Sequence, residues 1–487
     1  MSTIKHFLKD TFIYGLATVL PRVINFLLVK VHTDALPATS YADNTNFYIW
    51  AGLLAVLLSY GMETSFFRFF NSEHKKDSII STSFISITVT TILFVVLAYL
   101  FSDFFINIFD FEENKLRFKL LIAILAIDAL SIVPFAYLRA TNKSISYATI
   151  KLINVFVIVI INLLFLKYIP MYLEQGVKLP EIIQNNYDLT PIVNYIFIAN
   201  LVGSAISFLL LVPYLIKFKI LFDVVLLKKM LNYGWPILVA GIAYVINENL
   251  DKYLIGKLID KQTMGIYAAV YKLAIFMNLY IMAFKLGAEP FFFNQQSKEN
   301  AKEIYALILK YFTIVGSFVL LSIIVFIDVL KLFINENYWS ALAIVPIILL
   351  ANLLLGIYHN LAVWYKLTDK TQFAMYFSLL AAVVTIVINL IFIPIMGYMA
   401  SAWATLFAYG SMAIASYFYG KKYYRVPYEI KNIVSYIIIS VILSTLSFIY
   451  FRDQLLISIL MMFLFGGYIL WNEQTQLKLI FKKITKK

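Results

Sequence analysis

Long, nearly uncharged apolar runs recur from one end of this chain to the other, and nothing else in it constrains the fold as strongly. Each reaches about 18 residues or more, enough for a helix to cross the roughly 30 Å hydrocarbon core of a bilayer. About fourteen runs meet that length, beginning near Thr11, Asn44, Ile79, Leu116, Ser144, Pro191, Tyr233, Gly265, Tyr305, Tyr338, Thr371, Gly397, Ile433 and Leu455. A backbone in hydrocarbon must satisfy its own hydrogen bonds, which leaves helices or a closed barrel, and a barrel would show short alternating segments instead. Composition agrees: 14% of the residues are charged, against about 25% in globular chains. The expected fold is all-α and integral to a membrane. The first run contains Pro21 and Arg22, lacks a small-residue cleavage site and is too long for the apolar core of a signal peptide, so it counts as the first helix.

The chain has no cysteine, which excludes disulfides, thiolate metal sites and a Cys nucleophile. Its four histidines are scattered, and only His359 sits well inside an apolar run, so no metal site is expected. The net charge of +13 is a topology signal. With the N-terminus inside, alternate loops hold Lys5 and Lys9, Lys75 and Lys76, Arg139 and Lys143, then Lys217, Lys219, Lys228 and Lys229. The series continues with Lys298 and Lys302, Lys366 and Lys370, Lys421 to Lys431, and the basic tail at 478–487. The intervening loops are poor in Lys and Arg; the longest, 169–190, carries Glu174, Glu181 and Asp188 against Lys178. That is the positive-inside pattern, with both termini cytoplasmic. Nucleic acid is not an expected partner.

Several words occur twice in the same order. "YLRATNKSISY" (137–147) parallels "WYKLTDKTQFA" (364–374), and "IINLLF" (160–165) parallels "VINLIF" (387–392), aligning Asn162 with Asn389. Tyr14-Gly15 with Pro21 answers Tyr233-Gly234 with Pro236, and "GMETSFFRFFN" (61–71) is echoed by "GAEPFFFN" (287–294). Ordered matches at a nearly constant offset indicate a duplication. The chain therefore divides into an N-terminal lobe of six spans (1–218), a C-terminal lobe of six (219–425) and two further helices with a basic tail (426–487). The lobes are expected to be pseudo-symmetric about the membrane normal and to enclose a central cavity, as in other two-lobed transporters. "KILFDVVLLKKMLNYG" (219–234) has the pattern of a short amphipathic helix on the cytoplasmic surface.

Ionisable groups inside a span cost roughly 2.5 to 3.5 kcal/mol each on insertion scales and usually face a cavity or a partner. Arg22 lies mid-span in the first helix, with Asn25 one turn on; Asp128 is near the middle of the fourth and Lys151 in the inner part of the fifth. The seventh brings Asn247, Glu248, Asp251 and Lys252, and the eighth Lys272, Lys285 and Glu289. Glu63 and Arg68 close the second span, where Arg68 can snorkel or pair with Glu63. Glu63 and Glu289 are expected at related positions near the inner ends of helices two and eight. Lys252 follows Glu248 by four residues, a favourable order for a helical ion pair. Arg22 is too deep to snorkel easily. These thirteen residues are the candidate cavity lining. Deep cations in both lobes suit a multiply charged anion such as a phosphate. Asp128, Glu248 and Asp251 are each able to hold a coupling proton or Na⁺, and the sequence leaves that choice open.

These features together resemble the multidrug/oligosaccharidyl-lipid/polysaccharide exporter superfamily, and within it the bacterial polysaccharide flippases. The resemblance rests on the duplicated spans, the Tyr-Gly…Pro opening of each lobe, "GMETSFFRFFN", and "NENLDKYLIGKLIDKQTMGIYAAVYKL" (247–273) with Gly265, Tyr267, Tyr271 and Lys272. It implies a bacterial inner-membrane protein that moves an undecaprenyl-diphosphate-linked oligosaccharide by alternating access, the prenyl tail staying in lipid. Membrane lipids and glycan polymerase machinery are the partners it suggests. It implies no cofactor and no covalent chemistry. Lipid II flippases of the same superfamily carry several arginines in helices one and two, where this chain has Arg22 and Arg68, a departure that favours another lipid-linked glycan. A multidrug or cation exporter would favour a cavity of acids and aromatics. A glycan polymerase or glycosyltransferase would need sizeable outer loops that this chain lacks.

Overall fold

The computed structural model describes residues 2–72, 75–177, 180–181, 187, 190–216, 218–296, 298–368 and 370–474; within its helices the side chains at 2–14, 16–18, 71–72, 286, 289–290 and 293–294 lie outside the described residues. Among the described residues the chain is helical and has no strand. Sixteen helices carry the architecture. The first eight are α1 (Ser2–Ala35), α2 (Ala38–Ser59), α3 (Met62–Ser72), α4 (Lys76–Leu100), α5 (Lys115–Ala140), α6 (Ser144–Leu163), α7 (Asn194–Leu215) and α8 (Val224–Leu258). They are followed by α9 (Lys261–Tyr271), α10 (Ile275–Gln295), α11 (Ala301–Val325), α12 (Val345–Leu361), α13 (Gln372–Met396), α14 (Met399–Tyr423), α15 (Ile430–Tyr450) and α16 (Leu455–Asn472).

Twelve helical stretches among the described residues are long and apolar enough to cross a membrane. The two further spans expected from the sequence are helical as well. They are α1, much of whose side-chain set is not described, and α14, which is rich in Ala, Ser, Gly and Tyr. Neither counts among the twelve, so hydropathy in the folded chain supports twelve spans and not the full fourteen.

The chain forms two compact units, Met1–Ala269 and Val270–Lys487. In the first, α1 packs on α6, α7 on α5 and α6, and α8 on α2, α3 and α4. In the second, α14 packs on α12 and α13, and α11 on α12, α15 and α16. Proline interrupts several helices without ending them. After α6 the chain widens into a π turn at Leu164–Tyr168 and resumes as Ile169–Glu174. Pro170, in the first turn of that resumed helix, has no N–H to give, and the wider turn accommodates the missing bond.

Corresponding words of the duplication adopt the same local geometry. The Thr141 hydroxyl donates to the Tyr137 carbonyl at 2.7 Å, and its counterpart Thr368 donates to Trp364 at 2.9 Å. Lys143 N–H closes on Leu138 at 2.8 Å, and Lys370 N–H on Tyr365 at 2.9 Å. Asn162 and Asn389, both fully buried, each donate to the carbonyl four residues back at 2.8 Å.

Two features differ from the sequence expectation. The 219–234 stretch is not a separate surface helix. Residues 218–223 are not helical, Asp223 caps α8 by accepting from the N–H groups of Val225 and Leu226, and the helix then runs unbroken to Leu258. The Asp223 N-cap fixes where the helix starts, and Gly234 and Pro236 lie inside it without ending it. The second span, conversely, is broken. Tyr60 and Gly61 take positive φ (32° and 73°), ending α2 before α3 begins. A Cβ at Gly61 would stand 2.5 Å from the Gly234 carbonyl oxygen on α8. Both the left-handed backbone and the close approach demand glycine there.

Candidate functional site

In the first unit a cavity of about 410 Å³ opens among α3, α5, α6 and α7. Its lining comes in stripes at helical spacing, each helix turning one polar edge inward. From α5 come Asp128, Ser131 and Phe135; from α6 Tyr147, Lys151 and Asn154; from α7 Asn200, Ser204 and Ser207. Glu63 closes one end from α3. Ser204 hydrogen-bonds to the Asp128 carboxylate, and Lys151 lies within electrostatic reach of it. The Lys151 ammonium also sits 4.1 Å from the Phe135 ring centroid, a favourable cation–π placement. Asn200 donates to the Tyr48 hydroxyl at 2.7 Å. Glu63 is paired with Arg139 of α5 at 2.9 Å, not with Arg68. Arg68 stacks its guanidinium 4.4 Å from the Tyr233 ring centroid on α8. Both charges of "GMETSFFRFFN" lie on α3, where their spacing turns them about 140° apart, so they face different neighbours.

Arg22 and Asn25 are exposed on α1. Arg22 and Glu248 both act electrostatically on the Tyr244 hydroxyl of α8, which brings the arginine of α1 and the acid of α8 to one locus. The next turn of α8 is different. Asp251 and Lys252 are buried (1% and 7% exposed) and bonded to each other at 3.1 Å, with the Tyr267 hydroxyl of α9 donating to Asp251 at 2.9 Å. Lys252 also donates to the backbone carbonyl of Glu248. Asp251, Lys252 and Tyr267 thus form a buried cluster in which the ammonium has a buried counter-charge, as a buried ion requires. Asn247 is buried on the same helix.

In the second unit Lys272 is exposed in a 3₁₀ turn, Lys272–Ala274, that interrupts the passage from α9 to α10. Lys285 and Lys366 both act electrostatically on His359 of α12. The side chain of Glu289 lies outside the described residues, and with it the expected match to Glu63.

Two ionic clusters escaped the sequence reading. In the first unit Arg117 bonds Asp43 at 3.0 Å, both largely buried, while Lys261 reaches Asp43, Asp110 and Glu113 at 3.6, 3.9 and 3.8 Å and Lys257 reaches Asp110 at 3.4 Å. These bonds fasten the end of α8 and the start of α9 to α2 and the 109–114 turn. In the second, Lys310 is 2% exposed on α11 and meets Glu473 at 3.0 Å and Glu429 at 3.2 Å. The signal for Lys310 was present, since it is a lysine inside an apolar run.

Long helices around a polar stripe-lined cavity, with paired charges at membrane depth, are the build of a membrane transporter. Residues 7–294 match the family described as polysaccharide biosynthesis protein. The chain belongs to that family. No curated protein matches the sequence. Among solved structures, the lipid II flippase MurJ in an inward closed conformation is similar over 95% of this chain and 99% of its own, with a TM-score of 0.71 and 18% identity. A multidrug-resistance MATE transporter in an inward-facing conformation gives 0.62 and 13% over 82% of this chain and 94% of its own. A mutant of the Vibrio cholerae MATE transporter VcmN gives 0.60 and 14% over 86% and 97%. At such identities the likeness is one of fold: this family member has the architecture shared by flippases and multidrug exporters.

Proposed function

We propose that the chain carries a lipid-linked, phosphate-bearing oligosaccharide across a bacterial plasma membrane by alternating access. The observation that carries this reading is membership of a polysaccharide biosynthesis family on a transporter fold. Arg22, Lys272 and Lys285 supply cationic side chains on membrane helices or their junctions, and Asn25, Asn247 and Glu248 add polar partners. Arginine grips a phosphate through two parallel hydrogen bonds, and lysine acts as a point charge. The hydrocarbon tail has no need to leave the lipid. The test is flipping of a fluorescent undecaprenyl-diphosphate oligosaccharide in proteoliposomes. Protein-dependent flipping is expected; extrusion of cationic dyes without glycan-lipid flipping would assign the chain to the exporters instead.

The distribution of Lys and Arg supports cytoplasmic termini, with the 169–190 segment outside. In this cysteine-free chain single cysteines report cleanly. Gln175→Cys is expected to react with an impermeant maleimide in intact cells and Lys421→Cys only after lysis. The reverse pattern would invert the topology.

A further inference from the structure

The cavity in the first unit has a character unlike a phosphate site. Its formal charges cancel: Glu63 is paired with Arg139, and Asp128 stands beside Lys151. A diphosphate brought there would meet two carboxylates for every two cations and would gain little over water. Apart from Ile132 and Ile158, much of the remaining wall is neutral and hydrogen-bonding, with Asn154 and Asn200 offering both donors and acceptors and Ser131, Ser204 and Ser207 offering hydroxyls. Against this polar wall stand two rings, Phe135 and Tyr147, edge to face with centroids 5.5 Å apart. A ligand that fits must carry many hydroxyls able both to give and accept, little charge, and an apolar C–H face for an aromatic side. Pyranose sugars have that chemistry. A volume of about 410 Å³ lies within the range of roughly 300–1,000 Å³ usual for small-molecule sites.

We infer that this cavity is a saccharide subsite: it takes a neutral hexose-type residue of the transported head group, while the phosphates bind elsewhere, at the Arg22 locus. The inference rests on the transporter reading above and divides its substrate into two separately recognised parts. Asp128 and Asn154 bond sugar hydroxyls, Phe135 and Tyr147 cover a ring face, and Lys151 donates to a hydroxyl as one member of a neutral pair. Selectivity among glycans then resides in α5, α6 and α7, because a site built to hydrogen-bond a hydroxyl strongly rejects a ligand that lacks it.

The experiment is saturation-transfer NMR on the full chain in lipid nanodiscs, with glucose, galactose, rhamnose and N-acetylglucosamine as sugar probes and inorganic pyrophosphate as the anion probe. At least one sugar is expected to show transfer that pyrophosphate does not compete away. Asn154→Ala, and separately the isosteric Asp128→Asn, should weaken that sugar by about 2- to 12-fold, the equivalent of one lost hydrogen bond, with pyrophosphate binding unchanged. The isosteric variant keeps the test valid if the alanine variant folds poorly. No sugar signal sensitive to either variant overturns the inference, as does competition by pyrophosphate. So does loss of ²³Na⁺ binding in Asp128→Asn with sugar binding intact, which would make the cavity an ion-coupling site. The proteoliposome assay keeps the two readings apart. Flipping by the wild type without a sugar signal removes only the subsite, whereas no flipping at all removes the transporter reading.

Discussion

Replacing Arg22 with alanine or glutamate is expected to reduce flipping of a diphosphate-linked oligosaccharide on the order of 10- to 100-fold at unchanged protein abundance. Abundance should hold because Arg22 is exposed on α1, so its removal leaves no buried carboxylate stranded. The size of the effect follows from hydrogen bonds to charged groups, about 1.5–3 kcal/mol each, at 1.4 kcal/mol per factor of ten. Arg22→Lys keeps the charge and loses the planar fork, so an intermediate rate is expected. Glu248 shares the locus through Tyr244. Glu248→Gln should therefore tighten phosphate binding if the acid competes for Arg22. The same design fails at Lys252. Lys252→Ala strands Asp251 in a buried cluster, and the change that removes the pair cleanly is Asp251→Asn with Lys252→Gln. Wild-type flipping by Arg22→Ala would reject the phosphate role.

What the sequence showed, and what it hid, divides along a physical line. Span existence depends on hydropathy over about 18 residues, a local quantity, so the long helices were open to reading. Ion pairing depends on which helices touch, and that is tertiary. Glu63 found Arg139, 76 positions away, because α3 packs against α5; nothing in "GMETSFFRFFN" names α5. Lys252 bonds the adjacent Asp251, which also accepts from Tyr267 of the next helix, a buried partnership that spacing along one helix does not name. The polar stripes of the cavity were hidden for another reason. Asp128–Ser131–Phe135, Tyr147–Lys151–Asn154 and Asn200–Ser204–Ser207 each follow a 3–4 residue period, yet attention to charge alone passes over serine and asparagine. In a membrane helix a periodic row of uncharged polar residues is as informative as a charge, because lipid offers its hydroxyls and amides no hydrogen bond.

The second large effect concerns stability and the last two helices. Glu429 precedes α15 and Glu473 follows α16, so both acids stand at the same end of this hairpin, and both reach Lys310 of α11. Glu473 is buried as deeply as the lysine and also accepts from the Tyr436 hydroxyl at 2.6 Å, which in turn accepts from Asn472 at 2.7 Å. At the hairpin's other end Arg452 bonds Asp328 at 3.1 Å, so polar contacts hold α15 and α16 to the α11 side at both ends. Without a hydrophobic driving force between helices in lipid, such contacts and close packing must do the fastening. Lys310→Ala leaves Glu473 buried without its cation, a loss of about 3–5 kcal/mol for a broken buried pair. It is expected to lower the thermal unfolding temperature of the purified protein markedly and its abundance with it. Glu473→Gln alone should be nearly as damaging, because it strands Lys310 with only the half-exposed Glu429. The double variant Lys310→Met with Glu473→Gln removes both charges and fills the lysine's volume, and should recover most of the stability, since a buried ion pair is often no better than its apolar replacement. Additive losses in the double variant, read from thermal unfolding in detergent, would show that Lys310 and Glu473 do not hold the hairpin as a pair.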